Sequence, residues 1–197
     1  KTIKRLTEII HDVQPDVIIN TIGFISVEGC EDNLELATIL NRDLLSNINQ
    51  VLKKLNLEDC HLIQISSAGV YGNKDEPFKP WVESDMPKPL SNYTKTKLEG
   101  EREALAHGAK TTVIRTDFYG INPLSEKSLL WFIIKCVISK KKIEGWQNIY
   151  FSPISARKLS KIIERIIEKN IFGLFNIGCK NSCNKYNFAN EVCHLLN

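Results

Sequence analysis

Short apolar runs rich in β-branched residues alternate along this chain with longer segments of helical period. Val17-Ile18-Ile19 is one such run, bounded by Pro15-Asp16 and by Asn20, and this pattern is typical of a strand buried on both faces. Similar runs recur at Leu62 to Ile65, Thr111 to Arg115 and Leu174 to Ile177. Strands separated by helices are expected to pair in parallel, because a parallel pair needs a long crossover connection. The sequence therefore predicts a doubly wound α/β fold, in which helices cover both faces of a parallel sheet.

Apolar residues at helical spacing predict the helices of this fold. These helices occupy Ile3 to Val13, Leu34 to Leu55, Ser91 to His107, Leu129 to Ile138, Ser155 to Lys169 and Tyr186 to Leu196. We expect residues 1–120 to form one domain around the main sheet. Residues 121–197 are expected to be a mixed segment, with a strand and helix at about 151–178 returning to the main sheet. The Pro-rich stretch from Pro77 to Pro89 is expected to be an ordered surface loop.

Charge and cysteine usage restrict the partners that we expect. The 26 Lys and Arg residues against 23 Asp and Glu leave a net charge of +3 without a basic block, so nucleic acid and membrane are not expected partners. No apolar stretch is long enough to span a bilayer. The six cysteines form no repeating framework and the four histidines stand at no zinc-site spacing, so we expect reduced thiols, a cytoplasmic protein and no metal.

Ligands of doubly wound sheets bind beyond the carboxyl ends of the strands, so the segments that follow the predicted strands are the candidate chemistry-bearing segments. These are Asn20-Thr21-Ile22-Gly23, the stretch from Ser66 to Gly72, and Thr116-Asp117-Phe118-Tyr119-Gly120. A glycine-rich dinucleotide fingerprint between a first strand and helix does not occur in the chain.

Tyr93 and Lys97 stand four residues apart on a predicted helix, so their side chains share a face. The ammonium group of Lys97 could lower the pKa of Tyr93 and make it a usable proton donor at neutral pH. Ser67 ends a predicted strand, where its hydroxyl could reach the same substrate oxygen, and Asn41 could supply an amide near the lysine. The alternatives are an ordinary exposed helix pair, a serine that caps a turn, and a solvent-facing asparagine.

Several motifs carry a resemblance to a known superfamily, and they follow its order over almost the whole chain. They are Pro15-Asp16-Val17-Ile18-Ile19-Asn20, Val27-Glu28 with Glu31 after it, Asn41, Ile65-Ser66-Ser67 with Val70-Tyr71-Gly72, Asn92-Tyr93-Thr94-Lys95-Thr96-Lys97-Leu98-Glu99-Gly100-Glu101, Val113-Ile114-Arg115-Thr116, Phe151-Ser152-Pro153-Ile154 and Tyr186-Asn187-Phe188-Ala189. With these motifs the chain resembles an extended short-chain dehydrogenase/reductase, and most resembles the dTDP-4-dehydrorhamnose reductase branch of the nucleotide-sugar enzymes.

The resemblance implies that residues 1–120 form a partial Rossmann-like dinucleotide-binding and catalytic domain that lacks its first strands, and that residues 121–197 contribute to a small substrate-binding portion. It also implies roles for individual residues. Tyr93 would be the catalytic acid, Lys97 would lower its pKa and hold the nicotinamide ribose, and Ser67 would orient the substrate carbonyl, with Asn41 supporting the lysine. The implied contacts to NADP or NAD, besides Tyr93 and Lys97, come from Asn20, Thr21, Ile22, Gly23, Ser66, Thr116, Asp117 and Phe118. The implied sugar-facing residues are Val27, Glu28, Val70 and Tyr71, each of which could equally serve loop packing or be a solvated side chain.

The implied activity is NAD(P)-dependent reduction of the 4-keto group of a deoxyhexose nucleotide, with a nucleotide sugar as partner and a homodimer as the assembly considered. Two alternatives remain open, an epimerase with tightly bound NAD and a catalytically silent reductase-like subunit. Ala68-Gly69 resembles the epimerases more than the reductases and lacks the Asp-Glu pair that a 4,6-dehydratase needs. Because the family's first three strands have no counterpart before Lys1, we expect a fragment of a longer enzyme or a degenerate relative. In either case we expect weak dinucleotide binding by these 197 residues alone.

Overall fold

The computed structural model describes residues 2–72, 79–122 and 128–196, and its elements alternate between helix and strand. The helices are α1 (Thr2–Val13), α2 (Val27–Asp32), α3 (Leu34–Thr38), a π-helical turn (Ile39–Asp43), α4 (Leu44–Lys54), a 3₁₀ turn (Ala68–Tyr71), α5 (Asn92–Leu105), α6 (Leu129–Ile138), α7 (Ala156–Glu168) and α8 (Lys185–Leu196). The strands are β1 (Val17–Asn20), β2 (His61–Ser67), β3 (Thr111–Thr116), β4 (Phe118–Tyr119), β5 (Tyr150–Phe151), β6 (Ile154–Ser155), β7 (Gly173–Asn176) and β8 (Cys183–Asn184). These residues divide into two compact units.

The first unit comprises Lys1–Arg115 and Ile166–Asn176, and it contains the main sheet. The four strands lie in the order β1-β2-β3-β7, with β1 parallel to β2 and β3 parallel to β7. In this register Asn20 is level with Gln64, and Arg115 is level with Asn176. Every residue of β2 and β3 is buried, as expected for strands covered on both faces. The predicted α/β fold with a parallel sheet is therefore confirmed.

The core of this unit lies between the sheet and helices α1 and α4. Its fully or nearly buried members are Ile10, Leu45, Ile48, Val51, Leu52, Cys60, Leu62, Ala104 and Val113. The apolar positions that recur along α1 and α4 supply most of this cluster, which is why helical period alone located both helices.

The second unit comprises Thr116–Arg165 and Ile177–Asn197. It contains two small sheets, in which β4 pairs with β6 in parallel and β5 pairs with β8 antiparallel. The ring of Phe188 in α8 packs edge-on against Tyr119 and Phe151, at centroid distances of 5.3 and 5.4 Å. Sequence periodicity did not predict these four strands, because two-residue strands have no measurable period.

Part of the predicted Pro-rich loop, including Pro77, lies outside the described residues, and residues 79–91 have no helix or strand. Among the helices that the structure describes, none combines the length and the apolar character needed to cross a bilayer.

Candidate active site

Asn20 ends β1 and shapes the loop that follows it. Its side chain is buried, its Nδ2 donates to Oε1 of Gln64 over 2.7 Å, and its Oδ1 accepts from the backbone N–H of Ile22 over 3.2 Å. The Gln64 amide in turn donates to the Ile65 carbonyl oxygen at 2.8 Å. Thr21 and Ile22 are exposed at the carboxyl edge of the sheet, as predicted from their position after the strand.

Asn41 lies in the π-helical turn and is 1% exposed, so it is a buried polar residue rather than a solvent-facing one. Its Oδ1 accepts from the Phe24 N–H at 2.8 Å, and its Nδ2 lies within hydrogen-bond distance of the Phe24 carbonyl and of Thr96 Oγ1. Asn41 therefore joins the loop after β1 to helix α5. π-Helical turns inside α-helices occur frequently at functional sites.

Gly23 lies beside this amide and beside Lys97. A Cβ at Gly23 would stand 3.0 Å from Asn41 Oδ1 and 3.7 Å from Lys97 Nζ. The structure therefore brings together three of the predicted site residues, Gly23, Asn41 and Lys97, from three separate elements.

Helix α5 begins in a capping box. The hydroxyl of Ser91 accepts from the N–H of Thr94, the Thr94 hydroxyl accepts from the N–H of Ser91, and Glu31 Oε1 accepts from the N–H of Asn92 over 2.7 Å. These bonds satisfy N–H groups that the first turn of a helix leaves free, and they fix the turn that carries Tyr93. The side chain of Tyr93 is half-buried.

Lys97, one turn after Tyr93, is 5% exposed, and its ammonium donates to the carbonyl oxygen of Ile65 over 2.7 Å. Burial lowers the pKa of Lys97 to about 8, and the negative charge of Glu101 opposes part of that change. A buried lysine with a pKa so near neutrality is typical of functional sites.

Ser67 ends β2 and is 8% exposed. Its Oγ accepts from the N–H of Gly69 at 3.1 Å, which is the turn-capping bond that serine often makes. A Cβ at Gly69 would lie 3.1 Å from Cγ2 of Thr94, so the turn after Ser67 lies against the first turn of α5. Ser66, whose side chain is also buried, donates to Glu101 Oε1 over 2.5 Å.

The pairing of Glu101 with Arg115 was not predicted from the sequence. Arg115 donates to the Glu101 carboxylate through Nε and Nη2, with the shortest of these bonds at 2.6 Å, and both side chains are almost fully buried. The sequence did contain a signal of such a pair: a glutamate one turn after Lys97 and an arginine inside a predicted buried strand. Charged side chains are seldom buried unless they are paired, so each of these residues indicates a partner of opposite charge.

The four predicted sugar-facing residues have different surroundings. Val27 and Glu28 are exposed on α2, whereas Val70 is fully buried. Tyr71 is 1% exposed: its ring stacks on Trp81 at 4.9 Å, the Arg115 guanidinium lies 4.7 Å from its centroid, and its hydroxyl lies 2.9 Å from Asn176 Oδ1. Val70 and Tyr71 therefore have packing roles in this structure, and sugar contact stays a prediction for all four.

Thr116, Asp117 and Phe118 belong to the second unit. Thr116 is buried with an Oγ1 that has no hydrogen-bond partner among the described residues, and Phe118 is 56% exposed. Burial raises the pKa of the Asp117 carboxyl, and the nearby charge of Lys185 opposes that change. Their predicted contacts with the nicotinamide remain predictions. Within the described ranges, no three His, Cys, Asp or Glu side chains are grouped as metal ligands.

Comparison with known proteins identifies what the whole chain is similar to. A family model described as "RmlD substrate binding domain" matches residues 1–197. Methionine adenosyltransferase 2 subunit beta from Pongo abelii is 28% identical over 96% of the chain, which spans 57% of that relative. The dTDP-4-dehydrorhamnose reductase from Escherichia coli strain K12 is 30% identical over 57% of the chain and 36% of the relative.

Solved structures of dTDP-4-dehydrorhamnose reductases share the fold. The enzyme from Clostridium acetobutylicum superposes with a TM-score of 0.87 at 26% identity, over 97% of this chain and 65% of that one. The enzyme from Bacillus anthracis, solved in complex with NADP, superposes with a TM-score of 0.84 at 20% identity, over 98% of this chain and 67% of that one. The predicted resemblance is confirmed, and the chain spans little more than half the length of the first curated relatives.

Proposed function

The chain belongs to the RmlD substrate binding domain family, and from this premise we propose that it acts as an NAD(P)-dependent reductase on the 4-keto group of a deoxyhexose nucleotide. The dTDP-4-dehydrorhamnose reductases among its relatives and structural neighbours support this substrate class. The NADP complex of one neighbour supports the cofactor class.

One observation carries the proposal. Lys97 is buried with its ammonium group directed at the carboxyl end of β2, one helical turn after Tyr93 and beside Gly23 and Asn41. Burial of an ammonium group disfavours its charged form and therefore costs folding free energy. Such costly groups cluster at functional sites, and assisting a phenol that donates a proton is a role that fits Lys97.

The residues present fit the nicotinamide-ribose end of a dinucleotide. Gly23 leaves open the space that a Cβ would fill beside Lys97 Nζ and Asn41 Oδ1, and Lys97 offers the donor that a ribose hydroxyl requires. The 197 residues contain no glycine-rich pyrophosphate fingerprint, so they would hold only that end of the cofactor.

NADP or NAD, when bound, supplies the hydride that reduces the carbonyl carbon. Tyr93 would donate its phenolic proton to the carbonyl oxygen, and Ser67 would hydrogen-bond to that oxygen and orient it. Lys97 would stabilise the negative charge left on Tyr93, while Asn41 would keep the loop at Gly23 in place. The hydride on the carbonyl carbon and the proton on the carbonyl oxygen together convert the C=O group to the alcohol.

The experiment measures oxidation of NADPH and NADH by the complete natural protein with a dTDP-4-keto-6-deoxyhexose. We expect saturable turnover with the sugar nucleotide and little with a simple ketone, because binding of the remote nucleotide positions the reacting carbonyl. Equal efficiency with a small ketone would point to another branch of the superfamily. Tightly bound NAD without net consumption would instead support the epimerase alternative.

A second candidate function is a catalytically silent subunit of another enzyme. The specific observation in its favour is the 28% identity with methionine adenosyltransferase 2 subunit beta over 96% of the chain. This function predicts no consumption of NAD(P)H with any keto sugar nucleotide. It also predicts co-elution with purified methionine adenosyltransferase in size-exclusion chromatography. Turnover without co-elution would leave the reductase as the function.

A further inference from the structure

A single carboxylate connects three elements of the candidate active site. Glu101 is 2% exposed and lies on α5 one turn after Lys97. Its Oε1 accepts from Ser66 in β2 at 2.5 Å, and its two oxygens accept from Nε and Nη2 of Arg115 in β3. Glu101 therefore ties the helix that carries Tyr93 to the strand end that carries Ser67.

The same carboxylate acts on the charge of Lys97. The ammonium group of Lys97 donates to a neutral acceptor, the Ile65 carbonyl oxygen, so this bond brings no opposite charge. Glu101 is the group whose charge favours the protonated form of Lys97 against the effect of burial. Lys97, Glu101 and Arg115 together carry a net charge of +1 in a buried cluster, and loss of the carboxylate would leave two buried cations without compensation.

The other groups that face Lys97 do not replace this charge. Around Lys97 Nζ lie Gly23 of the loop after β1 and Asn41 of the π-helical turn, which are both uncharged, and the Ile65 carbonyl oxygen of β2. Arg42 of the π-helical turn is engaged at the surface with Asp43 and with Glu99. Glu31 of α2 accepts from the backbone at the start of α5.

We propose that Glu101 is a positioning residue of this site, which fixes the strand end at Ser66 and Ser67 and keeps Lys97 charged for its work beside Tyr93. This role rests on the proposed reductase function, but the coupling between Glu101 and Lys97 is a property of the folded chain. Glu101 itself touches neither substrate nor cofactor in this scheme, since it acts through Ser66 and Lys97.

The test measures the protonation of Lys97 directly, by following its ¹⁵Nζ resonance during a pH titration of protein labelled at lysine. The resonance is assigned by its loss in Lys97→Met. In the unmodified chain we expect a midpoint near the pKa of about 8. In Glu101→Gln, which keeps the size of the side chain but replaces one acceptor oxygen with an N–H donor, we expect the midpoint to fall by about one pH unit or more.

Glu99→Gln is the matched control, because Glu99 lies on the same helix and its carboxylate is 3.6 Å from Arg42 in a partly exposed pair. It should move the Lys97 midpoint by less than about 0.3 pH unit, since exposed charges are strongly screened. If Glu101→Gln fails to fold, Glu101→Gln/Arg115→Met removes both members of the buried pair and leaves no unpaired charge there. The midpoint should still fall in this double variant, but by less than in Glu101→Gln, because the charge of Arg115, which opposes protonation of Lys97, is removed with the carboxylate.

An unchanged Lys97 midpoint in the folded Glu101 variant would overturn the proposal, and so would an equal fall in Glu99→Gln. A shifted midpoint in a protein that reduces no keto sugar would support the coupling and overturn only the reductase function. A shifted midpoint in an active protein should be accompanied by a lower kcat at neutral pH and by an alkaline limb of the pH–rate profile displaced to lower pH.

Discussion

The ammonium group of Lys97 lies 2.7 Å from the carbonyl oxygen of Ile65, a residue 32 positions earlier in the chain. This bond ties α5 to β2 two residues before Ser67, so the helix that carries Tyr93 and the strand that carries Ser67 have a fixed relation. Spacing along the sequence puts Tyr93 and Lys97 on one helix face, but only the packing of α5 on β2 directs the lysine towards the end of the sheet.

The first prediction is that Lys97→Met makes the protein more stable at neutral pH while abolishing its function. The pKa of Lys97 falls from its usual 10.5 to about 8 in the native state. Between these values the unfolded chain binds a proton that the native chain has released, so this group makes stability rise with pH across that window. Below pH 8 its buried charge costs about 3 kcal/mol, and the lost bond to Ile65 offsets about 1 kcal/mol of the gain.

We therefore expect Lys97→Met to raise the free energy of unfolding by about 2 kcal/mol at pH 7, and to lose this advantage above about pH 10. Urea unfolding at the two pH values measures the effect. Lys95→Met is the control, because Lys95 is exposed on the same helix and should change little at either pH. A clear loss of stability in Lys97→Met at pH 7 would show that the bond of Lys97 to Ile65 stabilises the fold by more than burial of the ammonium group destabilises it.

The second prediction concerns Gly100, where α5 makes its closest approach to the π-helical turn. A Cβ at Gly100 would lie 2.0 Å from the carbonyl oxygen of Asn41, a backbone atom that cannot rotate away. Gly100→Ala should therefore destabilise the fold by about 3 kcal/mol, although alanine gains about 1 kcal/mol over glycine in an unhindered helix. Thermal or urea unfolding measures the change. Lys95→Ala should be nearly neutral, and an equally neutral Gly100→Ala would mean that α5 and the turn can separate freely.

The sequence predicted the parallel sheet and its flanking helices because each has a strong period or an unbroken apolar run. It could not predict the contacts that build the site from residues far apart in the chain. The Gly100 to Asn41 approach is of this kind, since nothing local to Gly100 indicates its partner. The Glu101 to Arg115 pair is a weaker case, since a charge inside each buried element indicates that a partner exists but not which residue it is. Tyr71 shows a further limit, because a tyrosine after a strand end is compatible with ligand contact, and only the folded chain shows Trp81 and the Arg115 guanidinium on its ring.

The third prediction concerns acid stability and His61, the first residue of β2. Thr112 Oγ1 donates to the Ile171 carbonyl at 2.7 Å, so it accepts from His61 Nε2 over 2.8 Å, which places the proton of a neutral ring on Nε2. Burial lowers the pKa of His61, and the charge of Lys110 lowers it further. Below pH 6.5 the unfolded chain therefore binds a proton more readily than the native chain, and the free energy of unfolding should decrease as the pH is lowered.

His61→Gln should flatten this dependence, because an amide can donate to Thr112 and does not titrate in this range. The free energy of unfolding measured at pH 7.5, 6.5 and 5.5 gives the slope. His11→Gln is the control, since His11 is exposed on α1, and this variant should show the same dependence of unfolding free energy on pH as the natural protein. Equal slopes in the natural protein and in His61→Gln would assign the acid sensitivity to other groups.

The last prediction tests the catalytic assignment of Tyr93 in the complete natural protein. Tyr93→Phe removes only a hydroxyl from a half-buried side chain, so far-UV circular dichroism and cofactor affinity should change little. General-acid catalysis typically contributes about 10²–10⁴-fold, and turnover of the keto sugar nucleotide should fall by that factor. Tyr186→Phe, at an exposed position of α8, should keep full turnover.

Combining Tyr93→Phe with Lys97→Met should reduce turnover by less than the product of the two single reductions, because the two groups act as a unit. Near-full turnover in Tyr93→Phe, under conditions where chemistry limits the rate, would remove Tyr93 from the mechanism and leave its pairing with Lys97 as an ordinary contact between neighbours on a helix.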